Sequence, residues 1–190
     1  PINDFALIPD CAVLDYRVPL GLPPMITGTT GMDALTHAVE AYIGHSTTTL
    51  TRAMAEEAVT LIVQYLPRAY ENGSDEQARA KMLRASYCAG VAFTRSYVGY
   101  VHGVAHSLGG RYGVPHGLAN AVILPYFLEE YGASCHKSLA KLARKAGLAA
   151  QEEADSTAAE KFIVWIKAQN AAMGMPTPSG NPTPCTPCPS

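Results

Sequence analysis

The sequence VHGVAHSLGGRYGVPHGLAN, residues 101–120, contains three of the six histidines of the chain. His102 and His106 stand four residues apart, so on a helix their side chains would lie on one face, with β-carbons about 5–6 Å apart. Gly109-Gly110 and the proline that follows predict a turn that would bring His116 back towards the same point. Neutral imidazoles aimed at one spot suit a divalent transition metal. Buried, hydrogen-bonded histidines or an exposed loop are the alternatives.

A second pair with the same helical spacing lies upstream. Asp33 and His37 occur in GMDALTHAVEAY at 31–42 and would lie on one side of a helix. The alternative for Asp33 is a carboxylate that stabilises the start of the helix. A buried His37 would need a partner, which favours a shared site. Gly103 stands where the HExxH metalloproteases carry their general base, which argues against peptide hydrolysis by that mechanism.

Composition narrows the classes of function. Charged residues make up 16% of the 190, below the usual share of about a quarter, so we expect a well-buried chain or a homo-oligomer. The formal net charge of −2 predicts no nucleic-acid partner. There is no run of about 18 apolar residues that would span a membrane, and five dispersed cysteines predict no disulfide framework. We expect a cytoplasmic protein.

Apolar residues recur at helical spacing through most of the chain. We expect a mainly α fold, a helical bundle over 29–174. Two short apolar runs, 5–8 and 11–14, predict strand fragments whose partners lie outside this sequence, joined to the bundle by a linker that ends at 28. Residues 175–190 are rich in proline and predict a disordered tail. Helices are predicted from Thr29 or Thr30 to Gly44, over 50–70, from Ser74 or Asp75 towards Phe93, and over 118–131, 135–146 and 155–173.

The two histidine segments, GMDALTHAVEAY at 31–42 and GYVHGVAHSLGGRYGVPHGLANAVILP at 99–125, resemble the C-terminal half of the iron-containing (group III) alcohol dehydrogenases. LGLPP and TGTTGMD match the approach to the first segment, and the resemblance covers 10–147. It implies a helical metal-binding domain like the C-terminal domain of dehydroquinate synthase. Residues 1–28 would then contain the trailing strands of an N-terminal α/β domain that binds NAD(P). The GGGS motif of that domain is absent, and the proline-rich tail departs from the family.

The resemblance also implies roles for single residues. The four metal ligands of the family correspond to Asp33, His37, His102 and His116. His106 corresponds to the residue beside the metal, near the substrate and the nicotinamide, and is the candidate catalytic group. His45 and His136 match no motif position.

The function implied for the whole protein is interconversion of primary alcohols and aldehydes with NAD(P). It would use Fe2+ or Zn2+, and its partner would be a small-molecule alcohol or aldehyde. The 190 residues are expected to be inactive alone. The alternatives are a zinc-dependent enzyme like glycerol dehydrogenase, in the same superfamily, and a catalytically silent metal-binding fragment.

Overall fold

The computed structural model describes residues 9–177, and within that range the regular structure is entirely helical. A short 3-10 helix, Val18–Gly21, precedes the α-helices. The predicted mainly α fold is confirmed. Among residues 9–177 no helix combines the length and the apolar character of a membrane span. The α-helices are α1 Pro24–Ile43, α2 Thr49–Glu71, α3 Glu76–Ser96, α4 Tyr100–Tyr112, α5 His116–Tyr131, α6 Ala133–Lys145 and α7 Asp155–Ala172.

The first helix begins five residues earlier than the predicted threonine cap. Pro24 occupies its first turn, where a missing N–H costs nothing and the fixed φ already suits a helix. Thr29 and Thr30 lie inside α1 and donate their hydroxyls to the carbonyls of Met25 and Ile26 at 2.9 and 2.7 Å. The predicted linker up to residue 28 therefore contains the start of α1.

The ends of the described range also differ from the sequence prediction. Residues 11–14, predicted as a strand fragment, form no strand, and no other strand is found in residues 9–177 for them to pair with. The run 5–8 and most of the predicted tail, 178–190, lie outside the described residues. Met175 is buried against the core, so the packed body extends one residue beyond the predicted boundary at 174.

Local sequence sets the start of α2 and α3. Thr48 accepts a hydrogen bond from the backbone N–H of Thr51, and the Thr51 hydroxyl accepts one from Thr48 in return, which makes a capping box. Asp75, one of the two predicted caps, accepts from the N–H of Ala78 at 2.9 Å. Pro67 lies within α2 and does not end it.

Helix α1 is the centre of the fold and packs against α2, α3 and α5. A β-carbon at Gly31 would lie 2.4 Å from Cδ1 of Leu66, so the glycine lets α1 and α2 approach closely. The pair α6 and α7 closes the other side of the core. The largest fully buried side chains include Met32, Leu35, Ile62, Leu66, Leu124, Leu128, Leu139, Leu142, Phe162 and Ile166.

Candidate metal centre

Three helices each bring one part of the site. Asp33 and His37 lie one turn apart on α1, and His102 and His106 lie one turn apart on α4. His116 is the first residue of α5, directly after the capping Pro115. Because side chains four residues apart share a helix face, each pair is aligned by local structure. The meeting of the pairs depends on how α1, α4 and α5 pack.

The chain reverses between α4 and α5 later than the glycine pair predicts. Helix α4 continues through Gly109-Gly110 and ends at Tyr112, and Gly113 adopts a left-handed conformation with φ 68°. A residue without a β-carbon takes this conformation at little cost. The N–H of Gly113 donates to the carbonyl of Gly109. The turn therefore lies at 113–115, and it places the His116 ring 5.4 Å from the His102 ring.

One ligand atom from each of Asp33, His37, His102 and His116 falls within 4.8 Å of the other three. Oδ1 of Asp33 is 3.5 Å from Nε2 of His116 and 3.7 Å from Nε2 of His102. Two donors held about 2.1 Å from a metal at the tetrahedral angle would be about 3.4 Å apart. The observed separations are close to that value. The donor set of one carboxylate and three imidazoles suits divalent iron or zinc.

The converging side chains differ in how far they are exposed to solvent. His102 is 2% exposed, Asp33 21% and His116 41%, so the centre opens to solvent on the His116 side. Nε2 of His102 is buried and has no hydrogen-bond partner. A buried imidazole nitrogen without a partner is costly unless something else binds it. The missing partner of this nitrogen is the observation that best fits a metal between the four side chains.

His37 is enclosed by aromatic rings. Its imidazole stacks on Phe93 on one side and on His102 on the other, each at 4.3 Å between ring centroids. Burial is the main cause that lowers the pKa of His37 to about 4, and the nearby His102 and His116 lower it further, whereas Asp33 raises it. The ring is therefore neutral at neutral pH, which is the form that can offer a lone pair to a metal.

His106 lies beside the four side chains and is exposed. Its ring is 6.0 Å from that of His102 and stacks on that of His116 at 5.0 Å. It does not belong to the group whose donor atoms converge. Its position is on the open side of the centre.

Two further residues contact the converging side chains and were not among the predicted ones. Glu40 on α1 is 4% exposed, and its carboxylate contacts Nδ1 of His102 and the N–H of Val101. Asn120 on α5 is fully buried, and its amide nitrogen is 2.6 Å from Oδ1 of Asp33 and 3.0 Å from Nε2 of His116. The signal for both was spacing, because Glu40 follows Asp33 and His37 along one face of α1 and Asn120 follows His116 by one turn.

Comparison with known proteins gives the family. The C-terminal model of the Fe-containing alcohol dehydrogenase family matches residues 27–178. The chain belongs to this family. The match covers all four converging side chains and His106. It confirms the resemblance drawn from the two histidine segments.

Individual members of the iron-containing alcohol dehydrogenases agree with this assignment. The 1-propanol dehydrogenase of Salmonella typhimurium is 41% identical over 170 residues, which is 88% of this chain and 46% of that protein. The crystal structure of 1,3-propanediol oxidoreductase superposes with a TM-score of 0.82 at 42% identity, over 85% of this chain and 42% of that one.

A third relative was solved with a nucleotide. The sulfoacetaldehyde reductase of Bifidobacterium kashiwanohense, in complex with NAD+, superposes with a TM-score of 0.74 at 31% identity, over 85% of this chain and 41% of that one. The chain thus spans less than half of the length of the relatives it matches.

Proposed function

We propose that this chain is the metal-binding part of an NAD(P)-dependent alcohol dehydrogenase that interconverts primary alcohols and aldehydes. The observation that carries the proposal is the convergence of one carboxylate and three imidazoles, with the buried Nε2 of His102 left without a partner. The propanol and propanediol enzymes among the relatives support the substrate class. The relative in complex with NAD+ supports the nucleotide.

Asp33, His37, His102 and His116 would hold the metal, for which Fe2+ is the expected ion and Zn2+ the alternative. When bound, such an ion supplies Lewis acidity towards the oxygen of an alcohol or aldehyde. The protein side chains divide the remaining work by burial. His37 and His102, packed ring on ring, exclude water from the inner side. His116 and Asp33 leave the outer side open to a substrate.

His106 would be the catalytic group on that open side. Its imidazole stacks on His116 and stays exposed, so its nitrogens are free to hydrogen-bond a substrate hydroxyl. A histidine in that position can orient the substrate or pass its proton to solvent at an imidazole nitrogen. The planes of the His106 and His116 rings are 16° apart, so the two imidazoles lie nearly parallel on this side.

The metal site is tested by titrating the purified chain with Co2+ and following its visible absorption. His102→Ala and His116→Ala each remove one donor, so we expect each to weaken Co2+ binding at least tenfold. His45→Ala is the matched control, because His45 is exposed and outside the converging group. Undiminished Co2+ binding in both site variants would refute the site.

The role of His106 is tested separately with His106→Gln. Because His106 is outside the converging group, Co2+ binding by the chain should not change. In the enzyme encoded by the complete coding sequence, kcat should fall and its pH profile should change. A variant with unchanged kcat and unchanged pH profile would show that His106 passes no proton.

We further propose that the 190 residues alone do not oxidise alcohols. Residues 9–177 form no strand, so they contain no strand–turn–helix unit of the kind that holds a nucleotide pyrophosphate. Titration with NADH, followed by its fluorescence, should show no binding, and butanol with NAD+ should give no NADH. Binding or turnover by the isolated chain would contradict this.

A further inference from the structure

Glu40 is a buried carboxylate in contact with a residue of the proposed metal site. It is 4% exposed, and among the described residues His102 is the one side chain with which its carboxylate hydrogen-bonds. Oε1 accepts the backbone N–H of Val101 at 2.8 Å, and Oε2 lies 2.5 Å from Nδ1 of His102. A carboxylate taken out of water requires such partners on both oxygens. Its two oxygens therefore face two different parts of the start of α4.

These two contacts determine which nitrogen of His102 carries the proton. A carboxylate oxygen accepts hydrogen bonds, so in a neutral imidazole the Nδ1 that faces Oε2 is the N–H. The other nitrogen, Nε2, is then left with its lone pair. Nε2 is 3.7 Å from Oδ1 of Asp33, too far for a hydrogen bond, and has no other partner. The lone pair thus faces the space between the four converging side chains.

We propose that Glu40 is a positioning residue: its carboxylate keeps His102 in the Nδ1–H tautomer, with Nε2 facing Asp33, and thereby sets the affinity of the site for a divalent transition metal. This inference rests on the metal-binding role proposed above for the four side chains. A carboxylate behind a ligating histidine fixes the orientation of the ring and increases the basicity of the donor nitrogen.

The backbone around Glu40 is shaped to admit the carboxylate. A β-carbon at Gly99 would lie 2.8 Å from Oε1 of Glu40, so a larger residue there would displace the side chain. Gly99 is also the residue before the first turn of α4 and offers no side chain to cap it. Glu40 supplies the missing acceptor for the N–H of Val101, at the end of the helix that favours negative charge. One carboxylate thus fixes both the start of α4 and the orientation of His102.

Glu40→Gln separates this role from simple packing, because the amide has nearly the same shape but only one accepting oxygen. If that oxygen accepts from Val101, the amide N–H2 faces Nδ1 of His102. The ring would then place its proton on Nε2, where a metal needs a lone pair. We expect Co2+ affinity to fall 10- to 100-fold. Glu56→Gln is the control, because Glu56 is a partly buried carboxylate bonded to the Tyr42 hydroxyl, away from the site.

The tautomer itself is measurable without any metal. Long-range 1H–15N NMR of the metal-free chain should show His102 protonated at Nδ1 in the wild type and at Nε2 in Glu40→Gln, whereas Glu56→Gln should match the wild type. Protonation at Nε2 in the wild type, or Co2+ binding by Glu40→Gln equal to that of the wild type, would overturn the proposal. If circular dichroism shows that Glu40→Gln does not fold, the tautomer of His102 in the wild type still tests the proposal.

The same pair of measurements distinguishes this inference from the function on which it rests. A wild-type chain that binds no Co2+ would refute the proposed metal site and, with it, the claim that Glu40 sets metal affinity. The NMR result at His102 would in that case still decide whether Glu40 orients the ring. A wild-type chain that binds Co2+ but has His102 protonated at Nε2 when metal-free would refute only the positioning role of Glu40.

Discussion

Gly117 marks the point where α5 touches α1 beside the metal centre, and its replacement by alanine tests how the site is held together. A β-carbon at Gly117 would lie 2.7 Å from the carbonyl oxygen of Thr29 and 3.5 Å from Cβ of Asp33. The first contact is with backbone inside α1 and cannot be relieved by a side-chain rotation. Gly117→Ala must therefore push α5 away from α1.

The size of the effect follows from that distance. Ordinary contact begins near 3.4 Å, so the helices must separate locally by about 0.7 Å, a strain that costs about 1–3 kcal/mol in a packed interior. His116 precedes Gly117 and would move with it, lengthening its 3.5 Å separation from Asp33. Sites of this kind tolerate displacements of about 0.5 Å. We therefore expect Co2+ affinity to fall roughly tenfold as well.

Urea unfolding of the metal-free chain measures the first quantity, and Co2+ titration measures the second. Gly103→Ala is the matched control, since Gly103 lies next to His102 within α4 but its added β-carbon would meet nothing within 4 Å. In a helix interior that change should stabilise the chain by about 0.5–1 kcal/mol and leave Co2+ binding unchanged. Gly117→Ala with wild-type stability and wild-type Co2+ affinity would refute the close contact.

Three other predictions concern the scaffold. Thr48→Ala removes the capping box with Thr51 and should lower the free energy of unfolding in urea by about 1 kcal/mol. Phe162→Ala empties a fully buried position in α7 and should lower it by about 3–5 kcal/mol. The hydrogen bond from Arg84 is the main cause that lowers the pKa of Glu57 below its unperturbed value of 4.5. The pair should therefore stabilise the fold above pH 4.5. Because both side chains are partly exposed, we expect this contribution to be no more than about 1 kcal/mol.

Each of these has a result that would count against it. Thr60→Ala, which removes another threonine hydroxyl on α2, should cost less than Thr48→Ala, and the opposite order would argue against the cap. A loss below 1 kcal/mol in Phe162→Ala would mean that the core collapses around the gap. A depressed folded-state pKa gives stability that is lost as pH falls through it. The difference between wild type and Glu57→Gln should therefore vanish in acid, and a constant difference would refute the ion pair.

The helical class and most helix bounds could be predicted from the sequence because apolar periodicity is a local property. The last helix was predicted over 155–173 and is found at Asp155–Ala172. The start of α1 was predicted too late, because Thr29 and Thr30 have side chains that cap a helix as readily as they bond back to its own carbonyls. Only the backbone before them, set by the two prolines, distinguishes these cases.

The sequence predicted the four side chains that would bind the metal, but not Glu40 and Asn120, which contact them. Asp33 and His37 are paired by helical spacing alone, and so are His102 and His106. Glu40 was missed because an acidic residue in an apolar stripe is usually a solvated side chain at the edge of the stripe. Glu40 is buried because α4 packs over it, and the spacing of residues within α1 does not predict where α4 lies.

Local patterns along the chain are enough to assign the helices, the residues that share a face on each and, through two long motifs, the family. Those are properties of neighbours along the chain and of the order in which they occur. The packing of the helices is needed to show that α1, α4 and α5 meet at one point, that Gly117 allows the approach, and that Glu40 faces Nδ1 of His102. These contacts join residues that are 62 positions apart in the case of Glu40 and His102. They are fixed by packing of the whole core rather than by any local preference.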